Sequence, residues 1–274
     1  MIVKDHMVSQ ESFAISECEN CRLRFTNPRP KSDELSKYYE SEAYISHSGK
    51  SYGLISPIYK LVRQYAIRNK VGLINKYAHK KARLLDIGCG TGSFLSAAAK
   101  NGWEATGVEV NNEARSIAQK ESNANIYPSI FDLPAKSKYE VITMWHVLEH
   151  VYNLEDTLKR IKELLITKGV LILALPNSNS ADANMYREYW AGYDVPRHLY
   201  HFTQPSVKFL SKEYKLKFKE IYPMVFDSYY VSLLSEKYLT GKSGYWKAVK
   251  NGFNSNRHAK KTQEYSSLIY ILKK

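Results

Sequence analysis

The chemistry of this chain concentrates in Leu84-Leu85-Asp86-Ile87-Gly88-Cys89-Gly90-Thr91-Gly92. The stretch reads as a short apolar strand ending in an acid, then a turn of alternating glycines, then the start of a helix. Glycines there allow positive φ and let backbone come close to a ligand. The helix behind them offers free N–H groups. A turn of this kind, at the carboxyl end of the first strand of an open α/β sheet, is where nucleotides bind. Gly88 and Gly90 fit a G-x-G-x-x-G fingerprint, but Ser93 stands at its third position and no G-K-[ST] follows. Neither a dinucleotide fingerprint nor a P-loop is therefore present. Cys89, inside the turn, reads as a small filler and not as a nucleophile.

Further polar residues follow in order. Glu109 ends a second strand, 17 residues after Gly92; a carboxylate there can accept charge-assisted hydrogen bonds from two neighbouring hydroxyls. Asp132 lies in Ile130-Phe131-Asp132-Leu133-Pro134, which is also good turn chemistry. His146 opens His146-Val147-Leu148-Glu149-His150-Val151, and Tyr189-Trp190 precede Pro196-Arg197-His198-Leu199-Tyr200-His201-Phe202-Thr203. Histidine titrates near neutrality, so these positions suit proton transfer from a hydroxyl. Glu149 and His150 read as loop supports, and His198 and His201 equally well as braces of their loop.

The elements that must position these residues follow from periodicity. Strands are expected at 83–88, 104–110, 124–127, 139–145 and 169–175, with helices opening at Ser93, Asn111 and Asn153 between them. Strand–helix alternation implies a mostly parallel sheet with helices on both faces. Sixth and seventh strands are expected at 218–225 and 268–272, around a Tyr- and Lys-rich insertion at 228–264. Residues 1–30 read as a small module of short extended pieces, 31–80 as a helical lid or linker, and 81–274 as the main domain.

The D-x-G-x-G-x-G turn resembles motif I of class I S-adenosylmethionine-dependent methyltransferases. Val147-Leu148-Glu149-His150-Val151 resembles a segment of ubiquinone-biosynthesis-type methyltransferases. Arg197-His198-Leu199-Tyr200-His201-Phe202-Thr203 resembles the segment after strand five in methyltransferase type 23. The likeness spans roughly residues 80–225. It implies a seven-stranded, mostly parallel Rossmann-like sheet whose last strand is antiparallel. It also implies direct in-line methyl transfer from S-adenosylmethionine, leaving S-adenosylhomocysteine. Asp86, Gly88, Cys89, Gly90 and Gly92 would hold the methionine end and Glu109 the ribose. Val110, Phe131 and Asp132 would flank the adenine. Tyr39, with Tyr38 and Tyr44, would form a lid closing over the cofactor, which His146 would also contact. Tyr189, Trp190, Arg197, His198 and His201 would lie near the acceptor, with His146 or His198 as a base or an acceptor-orienting group.

Cys18-Glu19-Asn20-Cys21 looks like the second half of a zinc ribbon, but the upstream pair is incomplete and only His6 is available as a third ligand. A structural zinc site wants four. A small β-module held by Phe13, Ile15, Leu23 and Phe25 is the alternative.

Composition narrows the partners. The 274 residues hold 44% hydrophobic and 24% charged residues and three cysteines. A disordered chain and a disulfide scaffold are excluded, and a reducing, cytoplasmic setting is expected. The net charge of +13 is uneven: +7 over residues 1–83, −3 over 84–207 and +9 over 208–274. The acceptor is expected to be a small-molecule or lipid- or carrier-linked hydroxyl, with the basic insertion facing a phosphorylated carrier or an anionic membrane surface. RNA or protein methylation through the basic flanks is the second reading. It lacks the D/N-P-P-[YF] segment of amino-nitrogen methyltransferases. A non-catalytic cofactor-binding scaffold is the third. Sequence leaves the oligomeric state open.

Overall fold

The structure, a computed structural model, describes residues 1–39, 57–78, 82–242 and 244–274. The lid residue Tyr44 lies outside them. Strands β1 (Ile2–Lys4), β2 (Ser12–Glu17) and β3 (Arg24–Asn27) open the chain, and helix α1 (Pro57–Tyr77) follows. Then come β4 (Arg83–Ile87), α2 (Ser93–Lys100), β5 (Glu104–Val108), α3 (Asn112–Ser122), β6 (Asn125–Tyr127) and β7 (Tyr139–Trp145). They are followed by α4 (Leu154–Leu164), β8 (Leu165–Pro176), α5 (Ala181–Tyr186), β9 (Tyr200–His201) and α6 (Gln204–Glu213). The chain closes with β10 (Lys217–Pro223), α7 (Asp227–Thr240), α8 (Tyr245–Thr262) and β11 (Ser267–Lys273).

Seven strands form the main sheet in the order β10-β11-β8-β7-β4-β5-β6. All neighbours pair in parallel except β11, which runs antiparallel to both β8 and β10. Its central strands are apolar on both faces because each face is covered. Leu85, Ile142, Met144, Leu171 and Leu173 pack with α4 residues Leu158 and Ile161. Leu84, Val141, Val170 and Ile172 pack with Phe94, Leu95 and Ala98 of α2. The expected seven-stranded sheet with its antiparallel last strand is therefore present.

Local signals hold with exceptions. Asn111 caps α3, its side chain accepting from the Ala114 N–H at 3.0 Å. Thr203 and Ser206 form a reciprocal capping box at α6. Asn153 stands at the N-cap of α4, but its side chain makes no capping hydrogen bond. Strand β8 begins at Leu165 and not at Gly169. Its register against β7 jumps between Tyr139↔Leu165 and Val141↔Val170, so the segment around Lys168 and Gly169 bulges instead of ending the strand.

Two features go beyond the expected elements. The insertion is a helical hairpin, α7 against α8. And β9, from the Arg197–Thr203 segment, pairs antiparallel with β3, Arg24 facing His201 and Phe25 facing Tyr200, to complete a second sheet of order β1-β2-β3-β9. The N-terminal strands are thus continuous with the loop after β8. Arg197 joins them. Its side chain is 1% exposed; Nη2 donates to Asp5 Oδ1 at 2.9 Å and to Asp194 Oδ1 at 2.6 Å, Nε donates to both Asp194 oxygens at 3.0 Å, and Nη1 donates to the Tyr38 carbonyl at 3.0 Å.

Burial alone would raise Asp5 and Asp194, but Arg197 outweighs it and holds both below the ordinary carboxylate value. Their contribution to stability is present above an unfolded pKa of about 3.9 and is lost as pH falls through the lowered folded values. Replacing Arg197 with Leu strands two buried carboxylates. It should lower the unfolding free energy by about 3–5 kcal/mol at neutral pH and flatten the acid limb of stability. Urea titrations across pH read both effects, and an unchanged midpoint would refute the clamp.

Candidate active site

The glycine turn leaves β4 with three left-handed glycines, Gly88 at φ 73°, Gly90 at 54° and Gly92 at 78°. A Cβ on Gly88 would sit 2.3 Å from Val147 Cγ2, and one on Gly92 would sit 2.9 Å from the Ala118 Cα. Those two glycines let the turn pack. A Cβ on Gly90 would meet nothing within 4 Å, so the turn presents open backbone there. Cys89 is buried among Leu84 and Phe94. Burial, with Asp86 and Glu109 nearby, pushes its thiol up, which fits the filler reading.

Asp86 is buried at the end of β4 and accepts from Thr143 Oγ1 at 2.7 Å. Burial pushes its carboxyl up to about 7, against the Thr143 hydrogen bond and the charge of Lys70. Lys70, from α1, lies over the Trp145 ring at 4.4 Å, and burial lowers its pKa. Glu109 follows β5. Its Oε2 accepts from the Gly90 N–H and its Oε1 from the Asn111 N–H, both at 2.9 Å. The neighbouring strand ends thus hold two carboxylates fixed around an open stretch of backbone. Val110 and Phe131, after β5 and β6, are large apolar side chains left exposed. Asp132 beside Phe131 is exposed and its N–H donates to the Ser129 carbonyl at 3.2 Å.

His146 leaves β7 in the left-handed region, φ 58°, with its N–H on the Ala174 carbonyl at 3.0 Å. Its Nε2 lies 3.1 Å from Asp227 Oδ2 and its Nδ1 3.4 Å from Glu149 Oε1. Burial opposes its charge, but the two acids prevail and raise its pKa to about 10. An imidazolium has no lone pair to take a proton near neutrality, so the geometry suits an orienting cation better than a base. Glu149 is fully buried. Burial alone would raise it, but the His146 ring beside it holds it below its usual range. His150 is pushed down to about 4 by burial, with the charge of His198 added. Its Nδ1 lies 3.1 Å from the Arg197 carbonyl and 3.2 Å from Tyr39 Oη.

The remaining expected residues separate into two groups. His198 adjoins this corner, its ring 4.6 Å from that of His150, with Nδ1 2.9 Å from the Gly192 carbonyl. Arg197 and His201 tie to the N-terminal strands by polar contacts, and Trp190 packs with Val3, Phe13 and Ile15 in the N-terminal core. Trp190 Nε1 donates to Asp182 Oδ2 at 2.9 Å. His201 Nε2 meets Thr26 Oγ1 at 3.0 Å, and burial keeps the ring neutral. Tyr38 is buried with its hydroxyl donating to Glu11 at 2.6 Å, so it belongs to the N-terminal core and not to a lid. Tyr189 is half-buried, 5.7 Å from the His6 ring.

The ligand set His6, Cys18 and Cys21 does not converge. His6 stacks on Tyr238 at 4.7 Å. Among the described residues the one group of three metal-capable side chains within reach of a common point is Glu149, His150 and His198. Lys70, Thr143 and Asp227 escaped sequence reasoning. Thr143 is marked only as a polar residue in an apolar strand, and nothing in the sequence marks the other two.

Residues 59–218 match the family of the methyltransferase domain. The ubiquinone biosynthesis O-methyltransferase of Rickettsia akari (strain Hartford) is 26% identical over 71% of this chain and 76% of its own length. That of Actinobacillus pleuropneumoniae serotype 7 is 30% identical over 53% of this chain and 64% of its own. The 1,6-didemethyltoxoflavin-N1-methyltransferase of Burkholderia thailandensis shares the fold at a TM-score of 0.56, with 14% identity and 99% of each chain covered. With its glycine turn, its strand order and this match over more than half its length, the chain belongs to the methyltransferase-domain family, the class I S-adenosylmethionine-dependent enzymes.

Proposed function

We propose that this methyltransferase methylates a hydroxyl oxygen on a small-molecule or lipid- or carrier-linked acceptor. The observation that carries the proposal is the corner where the end of β7 meets the loop after β8: a held imidazolium, His146, adjoining a neutral His150 that contacts Tyr39 and His198. The O-methyltransferase names of the relatives support the choice of oxygen.

S-adenosylmethionine, when bound, supplies a methyl group already activated by its sulfonium charge. The protein's part is chiefly proximity and orientation. Asp86 would hold the methionine amine once ionised, and the open backbone of Gly90 would let the ligand approach closely. Glu109, fixed by two backbone N–H groups, keeps acceptor capacity on both oxygens for ribose hydroxyls. Val110 and Phe131 would cover the faces of the adenine, with Asp132 at its edge. His146, whose two ring nitrogens face Asp227 and Glu149, would be a positioning residue that fixes the acceptor corner, and the proton of the methylated hydroxyl would leave to solvent. His198 would be a positioning residue, setting His150 and through it Tyr39.

Two outcomes test the cofactor assignment. Asp86→Ala and Glu109→Ala should each weaken S-adenosylhomocysteine binding at least tenfold, ~1.4 kcal/mol, by calorimetry. Folded variants with wild-type affinity would show the site to be misplaced. In the wild type, the raised Asp86 is neutral below its pKa, and a neutral carboxyl holds an ammonium poorly. Affinity should therefore fall as pH drops through about 7, the fall should vanish in Asp86→Asn, and a flat wild-type profile would exclude this role.

The acceptor is tested by labelled methyl transfer to matched panels of phenols, alcohols, amines and RNA. Transfer to hydroxyls is expected, with His146→Gln losing about 10²-fold in kcat through lost positioning while S-adenosylhomocysteine affinity stays within twofold. Transfer to amines or RNA alone would replace this reading.

A further inference from the structure

We propose that the outward face of the α7–α8 hairpin is a docking surface for an anionic lipid bilayer. The hairpin is built with its small residues inside. Ala248, Gly252, Ser255 and Ala259 of α8 are buried, as are Ser228, Ser232 and Ser235 of α7. A Cβ on Gly252 would lie 2.8–3.0 Å from Tyr229. The large apolar side chains point the other way. Trp246 is 89% exposed, Tyr245 66%, Phe253 57%, Val249 52% and Leu239, at the end of α7, 50%.

At 100° per residue, Val249, Phe253 and Trp246 fall on one stripe of α8 opposite the buried one, and Lys250, Arg257 and Lys260 fall on the same stripe. From Lys237 to Gln263 the chain carries seven Lys and Arg residues and no acid. All seven side chains are exposed, and none forms an ion pair among the described residues.

Three occupants could cover an aromatic and basic surface, and the chemistry selects one. A second copy meeting this face by two-fold symmetry would set seven cations against seven. Single-stranded RNA would use the cations and stack on the aromatics, but Val249 and Leu239 offer it nothing. An anionic bilayer uses every part: Trp and Tyr favour the headgroup level, the aliphatic side chains enter the acyl boundary, and the cations meet lipid charge.

The hairpin is also rooted at the candidate site, because Asp227, the first residue of α7, holds His146. Helix α7 has 14 residues. The hairpin tip therefore lies about 21 Å along α7 from that contact. No helix among the described residues is long and apolar enough to cross a membrane, so the contact would be peripheral.

The test is sedimentation of the whole protein with phosphatidylcholine vesicles, with or without about 30% phosphatidylglycerol. Binding is expected to the anionic vesicles only and to weaken with salt. It should fall at least tenfold in Trp246→Ser/Phe253→Ser and in Lys250→Glu/Lys260→Glu, both variants keeping the wild-type circular dichroism. Quenching of tryptophan emission by brominated lipid should disappear in Trp246→Phe. Equal binding to neutral vesicles, no binding, or variants that bind like the wild type would overturn the proposal. So would a patch whose mutation abolishes a concentration-dependent dimer or an RNA gel shift instead. S-adenosylhomocysteine affinity, measured on the same samples, reports separately on the cofactor site.

Discussion

A guanidinium sealed between two carboxylates organises one side of this molecule. Arg197 reaches Asp5 in the loop after β1, Asp194 three residues before it, and the carbonyl of Tyr38. A buried cation of this kind is tolerated only with every partner in place, since each charge left over costs several kcal/mol. The consequence is positional. The backbone that carries Arg197 also carries His198, and the Arg197 carbonyl contacts His150 Nδ1. The position of the histidine corner therefore depends on the N-terminal strands, which lie nearly two hundred residues earlier in the chain. The β3–β9 pairing reinforces this through Thr26, whose hydroxyl donates to the His198 carbonyl at 2.6 Å.

The other side of the site is arranged by desolvation. Asp86 lies in a low-dielectric pocket with one hydroxyl donor and a lysine whose own charge is also disfavoured by burial. Neither charge is fully compensated by its neighbours. A cationic ligand that completes the pairing of Asp86 gains more there than it would at a solvated acid. His146 is the opposite case: two acids fix its charge, so its field is constant over the neutral range. The site thus combines one group whose charge depends on what binds with one whose charge does not, and only the first is left for a cationic ligand to complete.

The sheet was legible because a parallel strand covered on both faces must be apolar along its length, as in Leu171–Leu175, and because strand-to-helix turns leave glycines behind. The candidate cofactor carboxylates were legible for the same reason, as polar residues at the ends of such strands. The histidine corner was legible only as a set of residue types. Which of them face the site depends on pairings between distant segments, Arg24 with His201 and Asp5 with Arg197, that no local pattern records. His201 and Trp190 have the composition of an acceptor pocket and the surroundings of a core. The cysteine knuckle failed differently: Cys18 and Cys21 keep the spacing of a metal site, while His6 is drawn off to stack against Tyr238.

The insertion resisted reading because its amphipathicity is inverted. Periodicity is ordinarily read from large apolar side chains, on the premise that they mark the buried face. Here the buried face of α8 is Ala, Gly and Ser, which let two helices approach closely, and the large side chains mark solvent. Close packing of small residues needs no hydrophobic stripe, so the exposed Trp, Phe and Val contribute little to holding the hairpin together. A folding account therefore leaves them without a task. Exposed apolar surface carries a standing cost in solubility and is not evenly spread over this molecule. Its presence on a helix face that carries cations and no acid is a pattern that packing does not require, and it is met by a surface that is apolar beneath and negative above.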